Sequence, residues 1–150
     1  MSKNFFDVTG YGFCVDDIDV TPEDMTNLLQ LAPSTSAYIR DYFAEIGINK
    51  PDIDDYREVD ANKGMGIAAI IAEAMEEAEG IPFSACVEAE TEEEYVLYRP
   101  CFPWEMNTEK ERMMKEEEME AIFKKYVSIF NRNIPKGTNV YVGEISIETC

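Results

Sequence analysis

The sequence predicts an α+β fold: a three- to four-stranded, mainly antiparallel sheet with about four helices packed on one face. Apolar residues recur at helical spacing in four segments. They alternate at strand spacing near both ends of the chain and in a hairpin between them. Strands and helices do not alternate one for one, which argues against a parallel, doubly wound sheet. The 150 residues suit one domain, residues 1–150, with a sizeable core.

The first third of the chain predicts a strand and then two helices. Aromatic and aliphatic residues alternate with small ones over residues 10–18, which predicts the strand. Thr21 is a suitable N-cap, and Pro22 with two acids after it fits the first turn of a helix. This helix is expected to end before Pro33. A second should begin just after that proline and stop at Gly47.

The middle of the chain predicts a loop, a buried-face helix and a hairpin. Residues 48–65 are polar and acidic, so we expect a surface loop with at most one short helical turn. The stripe of isoleucine, alanine and methionine over residues 67–78 predicts a helix, and Gly80 fits the left-handed position after its end. Strands are predicted at 81–89 and 95–98, around an acidic turn.

The C-terminal part predicts one helix and one strand. Thr108 and Glu111 have the spacing of a capping box, and an apolar stripe continues the helix to Phe130. Residues 139–148 predict the last strand. Its aliphatic residues change parity at Gly143, and a β-bulge there would keep all of them on the buried face.

The charge of the chain limits its partners. Thirteen basic residues against 31 acidic ones give a net charge of −18, concentrated in the middle third. Such a field repels nucleic acid and anionic lipid and attracts basic proteins. The N-terminus lacks the apolar core of a signal peptide, and no apolar run is long enough to span a bilayer. We therefore expect a cytoplasmic protein that binds neither membrane nor nucleic acid directly.

The residue types also limit the chemistry. The chain has no histidine, which removes Ser-His-Asp and Cys-His nucleophiles and histidine-ligated metal sites. The four cysteines show no paired spacing and are expected to be free thiols; they are Cys14, Cys86, Cys101 and Cys150. We expect no enzyme, no metal and no cofactor. A small carboxylate-dependent hydrolase is the open alternative.

Two motif-like stretches fail on context. The G-x-G-x-x-A pattern over residues 64–69 lacks the buried strand that a dinucleotide site needs before it, so we interpret it as a helix entry. The alternative interpretation is a loop in which the N–H groups of the helix start bind an anion. A calcium loop starting at Asp52 would place Arg57 at its glycine position and Lys63 at its glutamate position. A solvated loop is the better interpretation.

Two further patterns carry a resemblance. One is Gly10-Tyr11-Gly12-Phe13 with Val15-Asp16-Asp17 before the Thr-Pro-Glu helix start; the other is Tyr95-Val96-Leu97-Tyr98 before the Phe102-Pro103-Trp104 corner. Together they resemble uncharacterised small acidic proteins of phages and prophages of gut Firmicutes, over about two thirds of the chain. By analogy of size and charge alone, that setting implies anti-CRISPR-like inhibitors, which occupy the place of DNA on a nuclease.

The functional prediction follows from the charge. We expect a non-enzymatic protein that presents carboxylates to a basic, nucleic-acid-binding protein, with Trp104 as an interface anchor. For the aromatic cluster as a whole, core packing is the preferred interpretation and an interface anchor is the alternative; its members are Tyr95, Tyr98, Phe102 and Trp104. The acidic candidates lie in two segments: Asp52, Asp54, Asp55, Glu58 and Asp60, and Glu90, Glu92, Glu93 and Glu94. The competing interpretations are an acidic surface that serves solubility only, and a structural protein that self-associates as a homodimer.

Overall fold

The computed structural model describes residues 6–59, 66–100, 103–130 and 140–149. Its strands form one antiparallel sheet in the order β2-β3-β1-β4. They are β1 (Phe6–Cys14), β2 (Ser84–Val87), β3 (Glu94–Tyr98) and β4 (Gly143–Thr149). About half of the chain is helical, and the α+β prediction is confirmed.

The described residues contain six α-helices. They are α1 (Pro22–Leu29), α2 (Pro33–Ile46), α3 (Ile53–Arg57), α4 (Ile67–Glu79), α5 (Glu109–Met113) and α6 (Glu116–Ile129). Four of them are long and correspond to the four predicted helices. The two five-residue helices, α3 and α5, account for the difference in number. A 3₁₀ turn, Val15–Asp17, follows β1 directly.

The predicted helix ends are confirmed where a local cap determines them. The Thr21 hydroxyl accepts the Asp24 backbone N–H, and the Asp24 carboxylate accepts the Thr21 N–H in return. Gly47 and Gly80 end α2 and α4 with φ of +78° and +75°, a backbone region that costs glycine nothing. Pro33 takes the first position of α2, where its missing N–H is not needed.

The main core lies between the helices and one face of the sheet. Helices α4 and α6 pack on that face, and α1 and α2 pack against them. The Phe123 ring meets the edges of Phe13 and Phe83, with centroids 6.1 and 5.4 Å apart. All three rings are buried, so this aromatic cluster anchors α6 to the sheet.

The other face of the sheet forms a second, smaller core. Each strand contributes one buried residue to it: Val8, Cys86, Leu97 and Ile147. The sheet curls strongly enough for the backbone N–H of Ala89, just after β2, to donate to the Glu148 carbonyl of β4 at 2.8 Å. The curl needs Gly12, since a Cβ there would lie 1.8 Å from the Val96 carbonyl oxygen.

This second core explains why the predicted bulge is wrong. Strand β4 begins at Gly143 and pairs with β1 in an unbroken register from Gly12 to Phe6. Ile145 and Ile147 pack in the second core, whereas Val140 and Val142 precede the strand and pack against the main core. The parity change therefore reflects two apolar environments instead of an extra residue.

Two other boundaries differ from the prediction. The first strand begins earlier, at Phe6, and ends at Cys14, because Val15–Asp17 turns into 3₁₀ geometry. The predicted helix over residues 108–130 is interrupted at Met114, whose backbone is extended. The interruption lets the three glutamates after Lys115 occupy the first turn of α6, next to the positive end of its dipole.

Several predicted features lie outside the described residues. They are Asp60, the first two residues of the G-x-G-x-x-A stretch, Cys101, Phe102, the loop over residues 131–139 and Cys150. Within the described part of the chain, none of the helices combines the length and the apolar character that crossing a bilayer requires.

Candidate acidic binding site

One of the predicted acids, Glu94, lines a cavity of about 240 Å³. Its apolar floor includes Ile53 of α3 and Ile67 of α4. Its charged lining comes from three separate segments and gives the cavity the name used below, the acidic cleft: Asp16, Asp19, Arg57 and Glu94. Arg57 is the one cation among the lining residues, and its Nη1 atom lies 2.7 Å from Asp54 Oδ1.

Glu94 holds the acidic cleft to the start of α4. Its carboxylate accepts the backbone N–H of Ala68, in the first turn of that helix, and so acts as a cap supplied by a neighbouring strand. Burial raises the pKa of Glu94, and the negative charge of Asp16 adds to the shift, while the bond from Ala68 and the charge of Arg57 oppose it. Its Oε1 atom is buried without a hydrogen-bond partner in the described structure. This carboxylate is therefore held at an energetic cost.

A second contact ties the 3₁₀ turn to the hairpin. Asp16 Oδ2 accepts the backbone N–H of Glu94 at 3.2 Å, and the Cys14 thiol donates to Glu93 Oε2 at 3.4 Å. Burial raises the pKa of Asp17, and the charges of Glu93 and Asp16 raise it further. Like charges thus lie close enough to repel each other.

The side chains of Cys14, Asp16 and Glu93 could together bind a metal ion. Ligand atoms of Cys14, Asp16 and Glu93 all lie within 4.8 Å of one another, a spacing that one divalent cation can bridge. Burial, the main cause, raises the pKa of the Cys14 thiol to about 12. A thiol that stays protonated at neutral pH is a poor ligand, and a cation here would first have to displace its proton. We therefore interpret Cys14, Asp16 and Glu93 as part of an acidic region whose like charges repel one another.

The predicted acids of residues 52–58 divide into structural and displayed ones. Asp52 and Asp55 form the capping box of α3: each carboxylate accepts the other residue's N–H, at 2.9 and 3.0 Å. Asp54 pairs with Arg57. Glu58 is exposed, and no described hydrogen bond uses its carboxylate. Sequence position alone does not separate these roles.

The hairpin acids divide in the same way. Glu90 and Glu92 are exposed in the turn between β2 and β3, where Glu92 takes a left-handed φ of +61°. Glu93 and Glu94 are half-buried and make the contacts of the cleft described above. We use the term acidic face for the three acids that line the cleft together with acids that lie near cleft-lining residues in the chain. The cleft acids are Asp16, Asp19 and Glu94, and the others are Asp17, Asp54, Glu58, Glu90, Glu92 and Glu93.

Trp104 is separate from the acidic face. Its side chain is 78% exposed, so the core interpretation of the aromatic cluster is wrong for this residue and holds for the buried Tyr98. Trp104 follows the C-terminal end of β3, whereas Glu94 stands at the strand's first position. The predicted anchor therefore comes after one end of β3, and the predicted hairpin acids lie at its other end.

Three acids of the face were not predicted: Asp16, Asp17 and Asp19. A signal existed, because an acidic run directly follows the first strand. Its importance depends on the pairing of Cys14 with Tyr95, which brings the end of β1 beside the start of β3. That pairing joins residues about eighty positions apart, beyond the reach of local pattern.

Comparisons with protein-family models, with curated proteins and with solved structures found no match to this chain.

Proposed function

We propose that this protein is a non-enzymatic binding protein whose acidic face engages a basic, nucleic-acid-binding protein. The observation that supports the proposal is the convergence of Asp16, Asp19 and Glu94 on one cleft, in which Arg57 of α3 is the one cation of the lining. Occupying a partner's phosphate-binding groove is the mode of action we propose, and it makes the protein a competitor of nucleic acid.

The repulsion between clustered carboxylates favours this proposal over an acidic surface that serves solubility only. A high net charge keeps a protein dispersed wherever the charges lie, and even spacing gives the least self-repulsion. Here burial and neighbouring carboxylates raise the pKa values of both Asp17 and Glu94. A basic partner would relieve that repulsion, so the clustering is costly in the free protein and useful in a complex.

Two variants with the same net charge test the proposal. The first neutralises exposed acids of the acidic face, as Asn or Gln: Asp19, Glu58, Glu90 and Glu92. The second neutralises exposed acids of α2 and α4: Asp41, Glu45, Glu73 and Glu76. None of these eight carboxylates takes part in a described hydrogen bond or ion pair, so both variants should fold. Circular dichroism and thermal melting check this.

Binding would be measured by calorimetry against a panel of basic nucleic-acid-binding proteins, with duplex DNA as competitor. We expect the acidic-face variant to lose about tenfold or more in affinity and to show a weaker salt dependence. The α2/α4 variant should stay close to the unmodified protein. Equal losses in both variants would mean that only net charge matters, and the acidic face would then have no role.

Self-association is the second candidate. Within the described structure the Trp104 side chain is exposed, whereas the outer edge of β4 is partly occupied, because the Glu148 carbonyl accepts the Ala89 N–H. Sedimentation velocity over a range of concentrations decides this point. A stable dimer that dissociates on Trp104→Ala would favour the structural role, and a monomer throughout would reject it.

A further inference from the structure

A second cavity, which shares no lining residue with the acidic cleft, has a different character. It has a volume of about 430 Å³ and lies between α1, α2 and the segment that leads into α3. Its apolar wall includes Leu29, Ile39, Phe43 and Tyr56. All four are buried, and the last two rings meet edge to face with centroids 5.2 Å apart. A volume of this size is within the usual range for small-molecule sites.

The lining of this cavity contains no acid, although acids make up 31 of the 150 residues. Its polar members are neutral apart from Arg40, which is exposed on α2. Arg40 forms no ion pair with any of the described acids. In a chain of this composition, an acid-free cavity with one unpaired cation at its edge is complementary to an anion that carries an apolar body.

We propose that the cavity binds a small aromatic carboxylate, with its ring packed against the wall formed by Phe43 and Tyr56 and its carboxylate on Arg40. Edge-to-face aromatic walls favour a ring as the guest. Neutral donors from Gln30 and Asn49 line the same cavity and suit the remaining lone pairs of a carboxylate.

The negative charge of the protein repels an anionic ligand, and Arg40 attracts it. The distance of each charge from the cavity determines which effect is larger. At physiological ionic strength the screening length is about 8 Å, so carboxylates farther than this from the cavity act weakly on a bound ligand. Four acids adjoin lining residues in the chain and oppose Arg40 more strongly: Asp41, Glu45, Asp52 and Asp55. Arg40 lies on the lining itself and acts at contact. An exposed ion pair of this kind is worth about a two- to fivefold gain in affinity. Burial of the ring supplies the rest.

The test uses three probes with the same body and different charge: 1-naphthoate, 1-naphthamide and 1-naphthylmethylamine. Affinities come from titrations followed by two-dimensional NMR of the full chain, which also locate the site. We expect the carboxylate to bind about two- to fivefold tighter than the amide and the amine to bind most weakly. Shifts should centre on Arg40, Phe43 and Tyr56.

Three variants sharpen the test. Arg40→Gln should remove the preference for the carboxylate and leave amide binding unchanged. Ala44→Phe places a bulky side chain at an exposed lining position and should weaken all three probes by about tenfold or more. Lys124→Gln removes a cation from an exposed position of α6 and should change nothing. The proposal fails if the amine binds as tightly as the carboxylate, if Arg40→Gln keeps the preference, or if no probe shifts the cavity residues. None of these outcomes depends on the acidic face.

Discussion

Glu111 is a carboxylate in the protein interior, with only 2% of its surface exposed. Its Oε1 atom accepts the Tyr98 hydroxyl at 3.1 Å. Its Oε2 atom accepts the backbone N–H groups of Asn107 and Thr108, at 3.0 and 2.9 Å, and the Thr108 hydroxyl at 3.0 Å. The side chain thus caps α5 and ties that helix to β3. Replacing Glu111 with alanine removes four hydrogen bonds at once.

The expected cost follows from those bonds. A hydrogen bond to a charged group contributes about 1.5–3 kcal/mol, and a buried donor left without its acceptor costs about 1–3 kcal/mol. Water can reach part of the α5 cap, since Thr108 is only half-buried, so the four terms do not add in full. We expect Glu111→Ala to lower the free energy of unfolding by about 3–5 kcal/mol, a large part of the 5–15 kcal/mol typical of a domain.

Urea unfolding followed by far-ultraviolet circular dichroism measures this loss. Glu111→Gln keeps the shape and one acceptor, and we expect it to cost about 2 kcal/mol. Glu109→Gln is the matched control, an exposed acid in the same first turn, with an expected cost of about 0.5 kcal/mol. A loss below about 1 kcal/mol for Glu111→Ala, with an unchanged denaturant slope, would refute the reasoning.

Three further perturbations have expected outcomes. Gly12→Ala should lower the free energy of unfolding by about 3 kcal/mol or more, because its Cβ would overlap the Val96 carbonyl. Gly47→Ala should lower it by only about 1 kcal/mol, the cost of a left-handed backbone for alanine, because its Cβ meets no atom within 4 Å. Melting experiments measure both. Tyr126→Phe should cost about 2 kcal/mol in urea, since the buried hydroxyl donates to Glu79 Oε2 at 2.5 Å. Burial tends to raise the pKa of Glu79, but bonds from Tyr126 and Lys125 outweigh it and leave that pKa lowered. The stability that ionised Glu79 contributes is complete above the unfolded pKa, near 4.5, and is lost as the pH falls through the folded pKa. Glu79→Gln should therefore flatten the acid limb of a stability–pH curve.

Local signals in the sequence predicted the helices well. The cap at Thr21, the left-handed glycines at 47 and 80 and the capping box at Thr108 all depend on contacts within about four residues, so the sequence contains the whole interaction. The burial of Glu111 was not predictable in this way. Its bond to Tyr98 joins α5 to a strand and depends on how the two pack.

The error at β4 has a specific physical cause. The parity argument assumed a single buried face, and it would have been correct for a flat sheet covered on one side. The curl of this sheet creates a second apolar environment, so Ile147 is buried and Ile145 is partly buried without sharing a face with Val142. At Gly12 the backbones of β1 and β3 come into close contact. How far the sheet would bend there depends on Val96, more than eighty residues away.

The acidic face shows why a count of charges does not define a binding surface. Asp52 and Asp55 cap α3, and Glu94 caps α4, so their carboxylates already accept hydrogen bonds from backbone N–H groups. Asp19 and Glu92, in contrast, make no described hydrogen bond with their side chains and are exposed. Only carboxylates of this second kind can turn to a partner without cost to the fold. A charge-neutralising scan should therefore separate into two classes: the capping acids should lower stability, and the exposed acids should lower affinity alone. A scan in which stability and affinity fell together at every position would mean that the acidic face is part of the scaffold.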